Sequence, residues 1–545
     1  MRPMRFVLPL GLAALLSLGF FQGSDRFFEL RKHFTIFSEL YTEISTHYVD
    51  EVPPAKLIRG ALEGMLELLD PYTNFIDETQ RDDVELTVSG RYGGVGLSIA
   101  ERDGRIVVLR PLEGYSAFRQ GIRAGDVILQ VNGQSVSGLS TAEVSALLRG
   151  EPNTTVSVTI AREGEARPLE FVLVRERVRL QDVTYAGWVQ PGIGYVRLER
   201  FSEGAPREFA QALDRLRREG PLEGLILDLR GNPGGLLEAA VAVVGHFLPR
   251  GSLVVTMRGR KGVVEREFRT SDSPTLPNMP LVVLVDRESA SASEIVAGAL
   301  QDLDRAVVMG ERTFGKGLVQ VIRPLSYNTA VKITTAKYYT PSGRCIQAVD
   351  YAEHTRNGGR LIPDSLRRAF RTSRGRIVYD GVGIEPDVRL APPPPSALEE
   401  ALRRRMWVFE FANRFAARYR QLPDTFTVSD AVYAEFGSFL RERGFAYETQ
   451  TERRLSELVE AARAEGFYEA LRPGLEALQR ALDAEKGRDL LRHAGSLKEE
   501  LRREILARYY GSSRLIALDL ERDPLVDRAI ALLRDPQAYR RVLGG

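Results

Sequence analysis

Three short apolar runs, each set in a strand–turn–helix pattern, constrain this chain more than any other feature. Gly224 to Leu229 is almost continuously apolar and closes on Asp228-Leu229-Arg230. A Gly-rich loop, Arg230-Gly231-Asn232-Pro233-Gly234-Gly235, follows, and then a helix is predicted over 236–248. Leu281 to Val285 is a second such run, with a helix expected from about Ala292 to Leu303, and Ala306 to Met309 is a third. A strand apolar at successive positions is buried on both faces, and parallel neighbours need a helical crossover between them. The pattern therefore predicts a parallel α/β core over residues 177–391.

The rest of the chain is organised around that core. Its 545 residues exceed one ordinary domain. Residues 24–85 read as a helical N-terminal region, in which Leu57, Ala61, Leu62, Met65, Leu66 and Leu69 recur at helical spacing until Asp70-Pro71 ends the run. Residues 86–176 switch to short strands (Gly96–Ala100, Arg105–Leu109, Asp126–Val131, Thr155–Ile160) with one helix at Ala142–Leu148, which marks an inserted β-rich module. Pro392 to Pro395 form a stiff linker, and Ser396 with Glu399 is a capping-box signature that opens a C-terminal helical region, 392–545. The fold class expected is multidomain α+β: an α/β core, an inserted β-rich domain, and helical N- and C-terminal regions.

Composition serves mainly to exclude. Net charge is +2, without the basic footprint of a nucleic-acid binder, and Arg403-Arg404-Arg405 reads as a solvated helix face. Cys345 is the single cysteine, so neither an intrachain disulfide nor a cysteine zinc site can be built. His33, His47, His246, His354 and His493 form no HExxH pair. No metal and no cofactor are expected. Arg2 and Arg5 precede an uncharged apolar run, Phe6 to Phe21, so residues 1–23 read as a signal anchor or signal peptide. A small-x-small cleavage pattern is missing, which favours the anchor. The arginines would leave the N-terminus in the cytoplasm and the body outside it, at the periplasmic or other extracytoplasmic face of the cell membrane.

The chemistry concentrates after the second apolar run, in Ser289-Ala290-Ser291-Ala292-Ser293-Glu294. A serine at a strand-to-helix turn stands at the carboxyl edge of the sheet and on the positive end of a helix dipole, where backbone N–H groups are unspent. Such a place can hold a developing oxyanion. Ser291 with Glu294 also fits an ordinary capping box. No G-x-S-x-G elbow exists and no histidine lies near in sequence; a histidine distant in sequence stays open as the base, and the better candidate is Lys316, in Gly315-Lys316-Gly317, which follows the next strand 25 residues after Ser291. That spacing accommodates one helix and one strand returning to the same sheet edge. An extended segment beyond it would put Lys316, Leu318 and Gln320 on one face, with Gln320 orienting the amine. A lysine acts as base only when neutral, so its pKa of about 10.4 must fall by roughly 3 units in an apolar pocket. A competing reading, a phosphate loop over Gly310–Lys316, lacks both the Ser or Thr ligand at position 317 and the helix that should follow.

These residues resemble the carboxyl-terminal processing proteases, or tail-specific proteases. The likeness rests on Ser289–Ile295, on Gly310-Glu311 and Thr313-Phe314-Gly315-Lys316-Gly317 with Gln320, on Gly60-Ala61 with Leu69-Asp70-Pro71-Tyr72, on Asp228-Leu229-Arg230 with Gly234-Gly235, and on Tyr339–Arg344. It spans roughly residues 40 to 390. The resemblance implies a serine endopeptidase whose nucleophile is Ser291, whose base is Lys316 and whose lysine is assisted by Gln320. It implies oxyanion donors at the amides of Ala292 and Gly235; the family's N-G-G-G is here Asn232-Pro233-Gly234-Gly235, and Pro233 has no N–H. It identifies residues 86–176 as a PDZ domain, with Gly121–Gly133 its most recognisable stretch and Gly93–Leu97 the carboxylate loop. Gly94, Val95, Gly96 and Leu97 would bind a peptide C-terminus that adds as a strand. The partners implied are proteins or peptides with free apolar C-termini, and a homo-oligomer is compatible with it. The alternative of another class is a catalytically inactive PDZ scaffold at the membrane, against which the intact Ser291, Lys316 and Gln320 argue.

Overall fold

The structure is a computed structural model, and it describes residues 10–78, 86, 88–351, 359–419, 421–423 and 425–545. The chain divides into two compact units: Met1–Glu78 with Gln320–Thr334 and Asp350–Arg360, and Thr79–Val319 with Thr335–Val349 and Leu361–Gly545.

The first unit carries the helices Leu10–His47 and Pro54–Leu66. A short strand missed in the sequence, Asn74–Ile76, pairs antiparallel with Ala330–Lys332. Asp70 organises this unit: it accepts from Tyr72 N, from Thr73 Oγ1 and from Thr334 Oγ1. The apolar run Phe6–Phe21 begins outside the described residues. Among the described ones no helix is long and apolar enough to cross a membrane.

The second unit contains the α/β core. Six strands lie in the order Val183–Gln190, Ile193–Leu198, Gly224–Asp228, Leu281–Val285, Val307–Gly310, Val388–Arg389, and all neighbours after the first antiparallel pair run parallel. Every residue of Gly224–Asp228, Leu281–Val285 and Val307–Gly310 is buried. The pleat explains why. Leu225, Leu227, Leu281, Val283 and Val308 face the helices Ala205–Glu219, Leu237–Gly245 and Ala292–Asp302. Ile226, Val282, Leu284, Val307 and Met309 face Leu525, Val526, Ala529, Ile530 and Leu533 of the C-terminal helix Pro524–Arg534. Each large apolar side chain so buried contributes about 1.5–3 kcal/mol. The end of the C-terminal region is thus the second cover of the sheet, an arrangement that no local pattern announces.

The β-rich module has the strands Leu97–Arg102, Arg105–Pro111, Val127–Val131, Thr155–Ala161 and Leu169–Val174 around one core. Its helix Thr141–Leu148 starts on a complete Ser140/Glu143 capping box. Arg91–Gly94 pairs antiparallel with Glu176–Arg179 where the chain enters and leaves the module. The helical region opens as its capping box foretold: Ser396 N donates to Glu399 Oε2 (2.7 Å) and Glu399 N to Ser396 Oγ (3.2 Å), at the head of Ala397–Arg404.

Candidate active site

Two loops at the carboxyl edge of the parallel sheet, 229–235 and 286–293, are sewn together by the serines that flank Ser291. Ser289 and Ser293 are fully buried. Ser289 Oγ donates to the Leu229 carbonyl (2.8 Å) and Ser293 Oγ to the Asn232 carbonyl (2.9 Å). Ala290 N adds a third tie to Asn232 O (3.0 Å). Asp286 accepts from Gly231 N (3.0 Å) and from Ser289 N (3.0 Å), closing the seam from the other side. A run of three alternating serines therefore splits by burial: the outer two are buried and hold backbone, whereas Ser291 between them is half-buried.

Ser291 sits on the turn into the helix Ala292–Asp302 with φ 55° and ψ −112°. A side chain held at positive φ stores about 1–3 kcal/mol and persists only where its surroundings fix it; the seam does so. Gly234 packs directly beneath it. A Cβ there would stand 2.9 Å from Ser291 Cβ and 2.8 Å from Ala290 O, so only glycine fits. Gly234 N is spent on Asn232 Oδ1 (2.8 Å). The amides of Ala292 and Gly235, by contrast, donate to no protein acceptor among the described residues.

The buried Glu294 joins the nucleophile segment to the lysine segment. Its Oε2 accepts from Ser291 N (2.9 Å) and Lys316 N (2.9 Å), and its Oε1 from Gly315 N (2.7 Å) and Thr313 Oγ1 (2.5 Å). Thr313 Oγ1 in turn accepts from Ile384 N (2.7 Å). Burial pushes this carboxyl up to about 7, while the bonds from Thr313, Lys316, Ser291 and Gly315 pull the other way. The buried Tyr338 mirrors the arrangement on the carbonyl side: its hydroxyl stands within hydrogen-bond reach of Ser291 O (3.1 Å) and of Lys316 O, its one proton shared between them. One carboxylate thus collects the N–H groups, and one phenol the C=O groups, of Ser291 and Lys316.

Lys316 is half-buried in the loop that leads into the strand Leu318–Pro324, so the extended segment expected from Lys316 onward is an assigned strand only from Leu318. Gln320 belongs to the first unit, where its Nε2 donates to Thr334 Oγ1 (3.2 Å). The phosphate-loop reading of 310–316 fails on two counts. A strand follows it, and the loop amides are spent, those of Gly315 and Lys316 on Glu294 and that of Gly317 on Gln347 Oε1 (2.8 Å). In the β-rich module Gly94 lies in a strand, paired with Glu176, rather than in an open loop. Val95 and Gly96 remain outside the strands; their carbonyls accept from Ala117 N and Leu112 N, and their own amides donate to no protein acceptor among the described residues.

Sequence reasoning missed Glu294 as more than a cap, gave Thr313 no role beyond its place in a motif, and missed Tyr338 altogether. The usable signal was Glu294 itself, the single charged residue of Ala292–Gln301 in a segment otherwise made of small and apolar residues.

Comparison with known proteins gives matches along most of the chain. The family model "Peptidase family S41" matches residues 192–355 and "PDZ domain" matches 107–162. "Activating protease CtpB N-terminal domain" matches 22–80, and "Probable PDZ-protease, C-terminal helical domain" matches 398–533. The chain is similar to the carboxy-terminal-processing protease of Bartonella bacilliformis, 38% identical over 321 residues, which are 58% of this chain and 73% of the relative. It is also similar to the carboxy-terminal processing protease CtpA of Bacillus subtilis, 34% identical over 325 residues, 59% of this chain and 67% of the relative. Among solved structures, the photosystem II D1 C-terminal processing protease is 32% identical, covering 66% of this chain and 87% of its own, with a TM-score of 0.37.

Proposed function

Because the chain belongs to the carboxy-terminal-processing proteases of peptidase family S41, and so is a serine peptidase with a PDZ domain acting on proteins or peptides, we propose that Ser291 and Lys316 form its catalytic dyad. The observation that carries the proposal is the shared clamp: Glu294 and Tyr338 hold both residues by their backbones. Two unspent amides lie beside that clamp, on Ala292 and Gly235. In this mechanism neutral Lys316 Nζ takes the Ser291 hydroxyl proton as Oγ bonds to the substrate carbonyl carbon. The carbonyl oxygen becomes an oxyanion that accepts from Ala292 N and Gly235 N. Lys316 then returns the proton to the leaving amine, and water hydrolyses the acyl-enzyme in the reverse sequence. By the family likeness, Gln320 assists the lysine.

The PDZ domain selects the substrate by its end. Val95 and Gly96 offer amides to a terminal carboxylate, and an extended tail gains main-chain hydrogen bonds along the strand Leu97–Arg102. Holding the tail raises the local concentration of the adjoining segment at Ser291. The test is steady-state cleavage of matched free-acid and C-terminally amidated peptides long enough to reach both sites. Amidation is expected to raise KM by about tenfold or more, because a site built for an anion loses its charge partner; a charged final side chain acts in the same direction. Equal kcat/KM for the pair would show that the terminus is not read.

The basic start and apolar run of residues 1–23 support a membrane tether with the catalytic body outside the cytoplasm. Fractionation with protease protection of intact cells is expected to find the body membrane-bound and extracytoplasmic. Recovery as a soluble cytoplasmic protein contradicts this.

A further inference from the structure

Arg230, the first residue of the Gly-rich loop, is gripped by two carboxylates from distant parts of the chain. Its Nε and Nη2 meet the fully buried Asp228 at 3.0 and 2.6 Å. Arg230 N also donates to Asp228 Oδ1 (2.9 Å), and Tyr195 donates its hydroxyl to the same carboxylate. The remaining guanidinium nitrogen, Nη1, meets Asp523 Oδ2 at 2.8 Å. Asp523 lies in the C-terminal helical region, 293 residues away in sequence.

The Asp523 carboxylate is divided between two tasks. Oδ1 accepts from Leu525 N (2.9 Å) and Val526 N (3.3 Å) and so caps the helix Pro524–Arg534. Oδ2 faces Arg230. The helix cannot drift, because Leu525, Val526, Ala529 and Ile530 are buried against the sheet. Asp523 is therefore a fixed point supplied from outside the protease core. Downstream of Arg230 the loop runs through Gly231, tied to Asp286, and Asn232, tied to Leu198 O (2.7 Å), to the unspent amide of Gly235. Asp228 alone leaves the guanidinium held along one edge; the second carboxylate fixes its other end and thereby the start of the loop.

We propose that Asp523 is a positioning residue for the reaction: through Arg230 it sets the Gly-rich loop that carries the Gly235 amide, so the C-terminal helical region completes the catalytic apparatus as well as covering the sheet. This rests on the oxyanion role proposed above for Gly235.

The test uses the full chain with Asp523→Asn and Asp523→Ser. Both substitutes keep an oxygen able to cap the helix, and both remove the carboxylate from Arg230. Turnover of the free-acid peptide is measured per active site, with sites titrated by exhaustive fluorophosphonate labelling, alongside KM and Tm. An interaction that matters in the transition state lowers kcat and leaves KM in place. Both variants are expected to lose about 5- to 20-fold in site-normalised kcat, well below the roughly hundredfold cost of a full ångström's misplacement. KM should stay within twofold, and labelling should be complete but slower. Site-normalised kcat within twofold of the unsubstituted chain in either variant overturns the proposal. So does a loss confined to Tm and to the number of titratable sites, since that is all a helix cap alone would give. Absence of label at Ser291 in the unsubstituted chain overturns the dyad reading itself, and this inference with it.

Discussion

Glu294→Gln is expected to lower kcat by about a hundredfold in a chain that still folds. The carboxylate of Glu294 has four donors around it, two on each oxygen. An amide can accept at one oxygen only; its NH2 group would confront Ser291 N and Lys316 N, or in the other orientation Gly315 N, with another donor, although the Thr313 hydroxyl could turn to accept from it. Hydrogen bonds to a charged group are worth about 1.5–3 kcal/mol each. Breaking the pair on one oxygen frees the two segments to move apart by the fraction of an ångström that costs rate. Protonation acts in the same way but on one bond. With the Glu294 carboxyl at about 7, the neutral form prevails below that pH and its O–H replaces an acceptor with a donor. Activity is therefore expected to fall as the pH drops through about 7, in the same direction as protonation of Lys316. The measurement is the pH profile of kcat for the unsubstituted chain and the variant. A Glu294→Gln enzyme with unchanged kcat removes the clamp from the account.

Lys316→Ala is expected to have a larger effect still, a loss of about 10²- to 10⁴-fold in kcat/KM, the usual contribution of a general base. Backbone hydrogen bonds from Lys316 N to Glu294 and from Tyr338 to Lys316 O do not depend on its side chain. The variant should therefore keep its Tm while losing turnover. Arginine at this position should be no better than alanine, because a guanidinium does not give up its proton. Hydrolysis by Lys316→Ala within tenfold of the unsubstituted chain, at the same pH, would assign the base elsewhere.

The parts that the sequence made legible share one physical property: their signal is local. Strands buried on both faces print apolar runs, so Gly224–Asp228 and Leu281–Val285 were found nearly to the residue. Ser396 announces its helix because a cap and its Glu lie three residues apart. The Ser291 turn and the Gly-rich loop were each found for the same reason, each following the carboxyl end of a buried strand, while their joint role came only from the family resemblance.

What stayed hidden depends on partners far away in the chain. Ser289 and Ser293 look no different from Ser291 until their hydroxyls are seen on carbonyls about 60 residues back. Glu294 reads as half of a capping box. The bond to Ser291 N is that half, and the other three donors come from 19 to 22 residues on. Asp523 carries no signal beyond its helix cap, since its second oxygen serves Arg230.

Ser291, alone of the three serines, is the proposed nucleophile. Exhaustive labelling with a fluorophosphonate, followed by peptide mapping, tests it most directly. The expected result is a single phosphonylated residue, Ser291, with no label on Ser289 or Ser293, no labelling of Ser291→Ala, and much slower labelling of Lys316→Ala. Label on another serine, or peptide hydrolysis by folded Ser291→Ala at the rate of the unsubstituted chain, would contradict it.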